Sequence, residues 1–156
     1  MRISLLAIGA RMPAWVQAGV EEYSRRLRHE SELSIIEIPL SKRGSAGNIH
    51  RSRQKEGQAL LAKVDPIDHV VALEVTGRTL STPALAKRLQ ILREESRTLK
   101  ILIGGPDGLD RSCLDRADEC WSLSALTLPH PLVRVVLIEQ IYRAFSLLRG
   151  HPYHRE

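Results

Sequence analysis

The sequence predicts an α/β fold in which a parallel sheet is covered by helices on both faces. Five strand-like segments alternate with five helix-like segments along the whole chain. The chain has 156 residues, of which 43% are hydrophobic, and this suits one domain with one core. We see no internal repeat, low-complexity run or linker. We therefore expect a single domain over residues 1–156.

The first half of the chain carries clear start and stop signals. Gly9 ends an apolar strand, and Pro13 stands in the first turn of the helix that follows. Pro39 stops an alternating, β-branched strand, and Asn48 can cap the next helix. The predicted strands cover residues 2–8 and 33–38, and the predicted helices cover residues 13–27 and 49–64, with a loop over 41–48.

The second half repeats the alternation. We interpret residues 76–78, Thr-Gly-Arg, as a turn, after which Ser81 or Thr82 caps a helix. Asp110 is placed to cap a short helix later in the chain. The predicted strands cover residues 69–75, 100–103 and 120–123, and the predicted helices cover residues 82–97, 111–117 and 131–149.

The last helix is apolar on nearly every side. Its main apolar stripe faces one way, yet Leu132, Val136 and Leu147 fall on the opposite side. The sheet of one subunit can bury only one face of a helix, so the second face suggests a homodimer interface. Arg134 lies within the apolar stripe, where a charge is costly unless it is paired or faces a cleft. A structural salt bridge and a ligand contact both remain open for it.

The charge of the chain favours an anionic partner. The formal net charge is +5, and only 4% of the residues are aromatic. A basic protein with few aromatic residues is suited to phosphate contacts rather than to base stacking. A solvated basic face is the alternative. The basic residues form two groups, which are Arg25, Arg26 and Arg28, and Lys42, Arg43, Arg51, Arg53 and Lys55.

Other features argue against several functional classes. No apolar run approaches the roughly 18 residues that span a membrane. Cys113 and Cys120 lack the spacing of a zinc or redox motif, so we expect reduced thiols in a cytoplasmic protein. His151 and His154 lie near Glu156, but a metal site needs more ligands than these, and we expect no metal. The turn after the first strand has a single glycine, unlike a dinucleotide-binding fingerprint.

Three loops are expected to meet at the carboxyl edge of the sheet, where parallel α/β proteins bind ligands. They are residues 74–77, the glycine-rich turn over residues 104–109, and the small-residue loop over residues 123–129. None of them carries a phosphate-binding lysine. The sequence therefore predicts a ligand held by backbone hydrogen bonds and apolar contacts, as an adenosine group could be.

Several motifs closely resemble those of the SPOUT methyltransferases that methylate N3 of a pseudouridine in bacterial large-subunit rRNA. The resemblance extends over the whole chain, including its length, and we see no departure at the motif positions. The motifs are Ile-Gly-Ala-Arg-Met-Pro-Ala-Trp-Val at residues 8–16, Ile-Gly-Gly-Pro-Asp-Gly-Leu at 103–109, Leu-Ser-Ala-Leu-Thr-Leu-Pro-His at 123–130, Val-Arg-Val at 133–135 and His-Pro-Tyr-His-Arg-Glu at 151–156.

The resemblance implies a topology that periodicity alone does not predict. Periodicity predicts an open, doubly wound sheet, because knots are very rare. The family instead implies a C-terminal trefoil knot over about residues 100–150, followed by a catalytic tail at 151–156. It also implies a homodimer in which the tail of one subunit completes the cofactor site of the other.

The resemblance also implies S-adenosylmethionine as cofactor. Gly105, in the same turn as Gly104, is expected to line the site. The contacts carried over from the family are Leu73, Gly104, Leu123, Ser124, Ala125, Leu126, Thr127 and Leu128.

The C-terminal tail supplies the candidate catalytic residues. His154 is the best candidate for the base that removes the N3 proton, and Arg155 for stabilising the negative charge on the ring. Tyr153 can orient the target base or stack on it, while His130 and Arg134 are expected to position the substrate. The expected partner is 23S rRNA in the assembled ribosome. A SPOUT enzyme acting on another rRNA or tRNA base, and a non-catalytic ribosome-binding protein, are the alternatives.

Overall fold

A five-stranded parallel sheet forms the centre of the molecule. The computed structural model describes residues 1–42 and 48–155, without the side chains of His154 and Arg155. All four strand pairings are parallel, and the strand order is β2-β1-β4-β3-β5. The strands are β1 (Arg2–Ile8), β2 (Glu32–Ile38), β3 (His69–Thr79), β4 (Leu99–Ile103) and β5 (Glu119–Ser122).

The helices lie close to their predicted positions. Ser81 caps α3 by accepting a hydrogen bond from the backbone N–H of Ala84, and Asp110 caps α4 through the N–H of Ser112. Both caps confirm the predictions made from the sequence. The helices are α1 (Ala14–Leu27), α2 (Asn48–Leu61), α3 (Thr82–Glu94), α4 (Arg111–Arg116) and α5 (His130–Leu148), and a short 3₁₀ helix covers Pro152–Arg155.

The sheet separates two apolar clusters. Alternate residues of β1 point to opposite faces, so that Leu5 packs into one cluster and Leu6 into the other. Helices α1, α3 and α5 cover the first face, and α2 and α4 cover the second. Burial of each large apolar side chain contributes roughly 1.5–3 kcal/mol, which anchors the strand ends that carry the loops.

The predicted turn at residues 76–78 is wrong, because β3 continues through these residues to Thr79. The backbone of β3 is irregular here, since both Leu73 and Arg78 pair with Trp121 of β5. A Cβ atom on Gly77 would lie 2.7 Å from the backbone carbon of Trp121. Glycine is therefore needed for close approach between two strands, and this pairing cannot be read from the local sequence.

The second apolar face of helix α5 is partly buried within the chain itself. Leu147 packs against the larger apolar cluster, whereas Leu132 and Val136 are half-buried and lie outside both clusters. The other side of α5 is in tight contact with α1, where a Cβ atom on Gly19 would lie 3.0 Å from Val135. The homodimer, the knot over residues 100–150 and the separate tail stay predictions.

Within the described ranges, no helix is long and apolar enough to cross a bilayer. The same part of the chain contains no group of three or more His, Cys, Asp and Glu side chains placed to hold a metal ion.

Candidate active site

A cavity of about 520 Å³ lies beside the irregular middle of β3 and at the carboxyl ends of β4 and β5. Residues from all three predicted segments line it, which confirms that the segments meet here, but residues 74–77 are part of strand β3 and not a loop. Of the nine residues predicted to bind the cofactor, Ala125 does not line the cavity, and the other eight do. These eight are Leu73, Gly104, Gly105, Leu123, Ser124, Leu126, Thr127 and Leu128.

The glycine-rich turn has a closed shape that only glycine permits. Gly105 and Gly108 pair across it, and the N–H of Gly108 donates to the Gly105 carbonyl at 3.0 Å. Gly108 has a φ of +77°, which side chains disfavour. A Cβ atom on Gly104 would lie 2.6 Å from the Gly108 backbone. The turn therefore presents bare backbone to the cavity.

The loop over residues 123–129 is held by Ser124, near its start. The Ser124 hydroxyl accepts a hydrogen bond from the N–H of Leu126 at 2.9 Å, and the Ser124 carbonyl accepts one from the Ser122 hydroxyl at 2.9 Å. Leu126 is 76% exposed although it lines the cavity. An apolar side chain that is open to solvent at a cavity wall is suited to contact a ligand.

Trp121 also lines the cavity, a role that sequence reasoning missed. It is 3% exposed, and its indole N–H donates to Glu119 at 2.9 Å. Although burial acts to raise the pKa of Glu119, hydrogen bonds from Trp121, Arg88 and His69 hold this pKa below its usual range. The ionised carboxylate therefore fixes the orientation of the indole. From sequence alone, a single Trp in a strand is interpreted as a core residue. Besides His130, the other lining residues not predicted as cofactor contacts are Glu74, Val75, Ile103, Pro106, Gly108, Ser122, Pro129 and Val133.

His130 lies at the wall of the cavity, and both of its ring nitrogens are engaged. Its Nδ1 lies 2.9 Å from the Gly104 carbonyl oxygen, and its Nε2 lies 3.1 Å from a guanidinium nitrogen of Arg134. A carbonyl only accepts and a guanidinium only donates, so Nδ1 carries the proton and Nε2 accepts. Burial, and then the charge of Arg134, lower the pKa of His130. The imidazole is therefore a neutral group of fixed tautomer.

Arg134 lies behind His130 and does not line the cavity. Its side chain is 2% exposed and forms an ion pair with Glu37 at 2.5 Å. It also donates to the Gly9 carbonyl at 2.6 Å. Of the two possibilities left open by the sequence, the structure shows the salt bridge.

The C-terminal tail packs against α5 through Tyr153. The Tyr153 hydroxyl donates to Glu139 at 3.1 Å, and the ring lies edge-on to Tyr142 with 4.8 Å between centroids. Glu139 follows His130 by nine residues, which is roughly 14 Å along a helix. The backbones of His154 and Arg155 lie in the 3₁₀ helix, and their side chains are outside the described part of the structure.

A cluster of aromatic and charged side chains holds Tyr153, and we call it the tail anchor. The guanidinium of Arg26 lies 5.6–5.9 Å from the ring centroids of Tyr23, Tyr142 and Tyr153, which are all the tyrosines of the chain. Burial and the hydroxyl of Tyr23 raise the pKa of Tyr153, so this residue stays a neutral phenol. The tail anchor consists of Tyr23, Arg26, Glu139, Tyr142 and Arg143.

The second basic group lies on α2 and just before it, and α2 packs against the residue that follows the glycine-rich turn. Gly57 of α2 is packed so closely on Asp110 that a Cβ atom there would lie 2.7 Å from the Asp110 side chain. Lys42, Arg51 and Lys55 are exposed, Arg53 is half-buried, and Arg43 lies outside the described residues. In the other group, Arg25 and Arg26 form ion pairs with Glu22, so part of its charge is neutralised.

The sequence matches one family over nearly its whole length. The family model described as "Predicted SPOUT methyltransferase" matches residues 1–154. The ribosomal RNA large subunit methyltransferase H of Hahella chejuensis is 49% identical over 156 residues, which is 100% of both chains. The protein of the same name from Saccharophagus degradans is 50% identical over 155 residues, covering 99% of this chain and 100% of the relative.

Solved structures of low sequence identity share the fold. A probable methylase family protein from Haemophilus influenzae gives a TM-score of 0.53 at 13% identity, covering 97% of this chain and 68% of that one. A probable rRNA-methyltransferase from Porphyromonas gingivalis gives 0.51 at 15% identity, covering 95% and 69%. At these identities the likeness supports the fold alone.

Proposed function

The chain belongs to the SPOUT methyltransferase family, and we propose that it transfers the methyl group of S-adenosylmethionine to N3 of a pseudouridine in 23S rRNA. The cavity at the carboxyl edge of the sheet is the observation that carries this proposal. Relatives about 50% identical over the full chain bear the name ribosomal RNA large subunit methyltransferase H. Such a protein acts in the cytoplasm, where ribosomes are assembled.

The cavity suits S-adenosylmethionine in size and in chemistry. Its volume of about 520 Å³ is within the range of small-molecule sites. Leucine side chains offer apolar contact to an adenine ring, and the bare backbone of Gly104 and Gly105 can approach it closely. Among the described lining residues, Glu74 is the one carboxylate, and it is suited to the positive charge of the ligand.

Proton removal is the chemistry left to the protein. When bound, S-adenosylmethionine supplies a methyl group that is already electrophilic. The N3 atom of pseudouridine carries a proton, which we assign to His154 as base. Arg155 is assigned to stabilise the negative charge that develops on the ring. His130, and Arg134 through it, position the site, while Tyr153 fixes the tail through the tail anchor.

We further propose that the tail acts on the cavity of a partner subunit in a homodimer. Tyr153 is held beside Glu139 and Tyr142, about 14 Å or more along α5 from His130. This placement favours delivery of His154 and Arg155 to another subunit. Leu132 and Val136 are half-buried on α5 and are suited to an interface between subunits.

Recognition of the substrate is proposed to rest on phosphate contacts and on shape. Lys42, Arg51 and Lys55 extend a basic surface from the side of the glycine-rich turn. Contacts of this kind release counterions, so binding should weaken steeply as salt is raised. With only 4% aromatic residues the chain is poorly suited to stack on unpaired bases, and we therefore propose an assembled ribosome rather than free RNA as the substrate.

A methyl-transfer assay on ribosomal particles from a strain that lacks the enzyme tests the proposal. We expect S-adenosylmethionine with a labelled methyl group to label 23S rRNA in assembled particles, and mass spectrometry to place the label at N3 of one pseudouridine. Label in tRNA or at another base would assign a different SPOUT activity. Absence of S-adenosylmethionine binding in calorimetry would favour a ribosome-binding protein without catalysis.

A further inference from the structure

We propose that Glu37, on β2, is a positioning residue for the cofactor cavity although it does not line the cavity. Its carboxylate fixes Arg134, which fixes the tautomer of His130, and His130 in turn holds the carbonyl of Gly104. The identity of the ligand rests on the function proposed above, whereas the chain of contacts does not.

The contacts join four separate parts of the fold. Glu37 accepts a hydrogen bond from Arg134 at 2.5 Å, and the same guanidinium donates to the Gly9 carbonyl at 2.6 Å. Arg134 also donates to His130 Nε2 at 3.1 Å, and His130 Nδ1–H donates to the Gly104 carbonyl at 2.9 Å. Strand β2, the end of β1, helix α5 and the end of β4 are therefore linked through side chains.

Glu37 holds Arg134 in a single orientation, and this keeps His130 in a single tautomer. Arg134 is 2% exposed, and Glu37 is the carboxylate paired with it. Without that partner the guanidinium would be a buried charge, and reorientation toward water would relieve the cost. His130 Nε2 would then lose its donor, and nothing would prevent this nitrogen from carrying the proton. A ring protonated on Nε2 alone cannot donate from Nδ1 to the Gly104 carbonyl.

The linkage also controls charge at the cavity wall. The charged groups facing His130 are Arg134 from its own helix and Glu37 from β2. Burial and Arg134 keep the imidazole neutral, which is favourable beside a ligand with a positive sulfonium group. A neutral histidine with both nitrogens engaged is suited to shaping the glycine-rich turn rather than to proton transfer.

Two variants of Glu37 and one matched control test the proposal. Glu37→Ala removes the acceptor, and Glu37→Gln keeps an oxygen acceptor without the charge. The control is Glu32→Gln, because Glu32 lies on the same strand and pairs with Arg2 in solvent, where each side chain is 75% exposed. Calorimetry with S-adenosylmethionine and ¹⁵N NMR of the His130 ring in the ligand-free protein provide the two measurements.

We expect the His130 ring of the wild type and of Glu32→Gln to carry its proton on Nδ1. In Glu37→Ala we expect a substantial Nε2–H population and S-adenosylmethionine binding at least about 10-fold weaker, with Glu37→Gln intermediate. Glutamine is nearly isosteric with glutamate, so the test can be made with Glu37→Gln alone if the alanine variant does not fold. An unchanged tautomer and unchanged affinity in folded Glu37 variants would overturn the proposal. If the wild type itself does not bind S-adenosylmethionine, the proposed function fails, and the tautomer measurement still decides the role of Glu37.

Discussion

The two ends of helix α5 differ in what they hold. Its first turn carries His130 and Arg134, which connect to the glycine-rich turn, to Gly9 and to Glu37. Its middle and second half carry Glu139 and Tyr142, which hold the tail through Tyr153. The first part forms a wall of the cavity. The second part holds the tail that carries the candidate catalytic residues His154 and Arg155.

In the proposed homodimer, this difference separates the cofactor cavity from the proposed catalytic tail within each subunit. The wall of the cavity comes from loops of a single sheet, so one subunit is sufficient to form the proposed cofactor site. The tail is fixed to α1 and α5 of its own subunit, so methyl transfer should need a second subunit. Changes at the first end should therefore weaken cofactor affinity, and changes at the second end should reduce turnover.

The largest effect is expected for the tail residues. His154→Ala and Arg155→Ala should each lower kcat for methyl transfer by roughly 100-fold or more, because a base and a charge-stabilising group act mainly in the transition state. The affinity for S-adenosylmethionine should remain within about twofold, since the cavity is intact. Single-turnover assays on ribosomal particles and calorimetry give the two values. A large loss of affinity with kcat preserved would reverse these assignments.

These point variants are better tests than truncation after Gly150. Truncation also removes Tyr153, whose ring packs on Tyr142 and whose hydroxyl binds Glu139, so α5 would lose contacts as well. Substitutions at residues 154 and 155 leave the tail anchor in place.

A second prediction concerns the cavity itself. Gly105→Val places a branched side chain on bare backbone at the cavity wall. We expect this variant to bind S-adenosylmethionine at least about 10-fold more weakly than the wild type. Circular dichroism and thermal unfolding serve as controls for folding. Unchanged affinity in a folded variant would move the cofactor away from the glycine-rich turn.

Mixed dimers distinguish a tail that acts in trans from one that acts in cis. A subunit with Arg155→Ala keeps its cavity, and a subunit with Gly105→Val keeps its tail, so a heterodimer contains one intact composite site. We expect methyl transfer to recover well above that of either homodimer. If heterodimers verified by mass spectrometry stay inactive, each tail serves its own subunit.

A smaller effect is expected from loosening the tail anchor. Glu139→Gln weakens the hydrogen bond to the Tyr153 hydroxyl and removes the charge paired with Arg143. We expect kcat to fall several-fold through poorer positioning of the tail, with little change in cofactor affinity. Tyr153→Phe removes the same hydroxyl and should act similarly. Turnover equal to that of the wild type in both variants would show that the tail anchor does not position the tail.

The sequence predicted the cavity end of α5 better than the tail end for a physical reason. Glycines at 104, 105 and 108 mark a tight turn because only glycine adopts that backbone, and strand ends of a parallel sheet share one edge. The role of Tyr153 depends on Tyr23 and Glu139, which are distant in sequence and give no periodic signal. The knot was implied only by resemblance to a family, whereas the dimer was also suggested by the second apolar face of α5.

The same limit explains the error within the sheet and the choice that stayed open at Arg134. Gly77 reads as a turn residue because its role depends on the pairing of β3 with Trp121, which local patterns do not contain. The partner of Arg134 could not be chosen from sequence, since Glu37 is 97 residues away. The structure resolves that choice by placing β2 and α5 near the end of β1.

The smallest effect is expected at the cap that follows the glycine-rich turn. The Asp110 carboxylate accepts hydrogen bonds from the N–H of Ser112 at 3.1 Å and from its hydroxyl at 2.6 Å. The hydroxyl, more than any other group, lowers the pKa of Asp110. Since the folded pKa is below the unfolded value, the stabilisation is complete above the unfolded pKa and is lost as pH falls through the folded pKa.

Asp110→Ala should therefore lower the free energy of unfolding by about 1 kcal/mol at neutral pH, and by less in acid, where the wild type loses the same interaction. Urea unfolding followed between neutral and acidic pH measures this difference. The control is Asp115→Asn on the same helix, because the exposed pair of Asp115 with Arg111 should contribute under about 0.5 kcal/mol. A cost of Asp110→Ala that stays constant across this pH range would show that the ionised cap does not stabilise the start of α4.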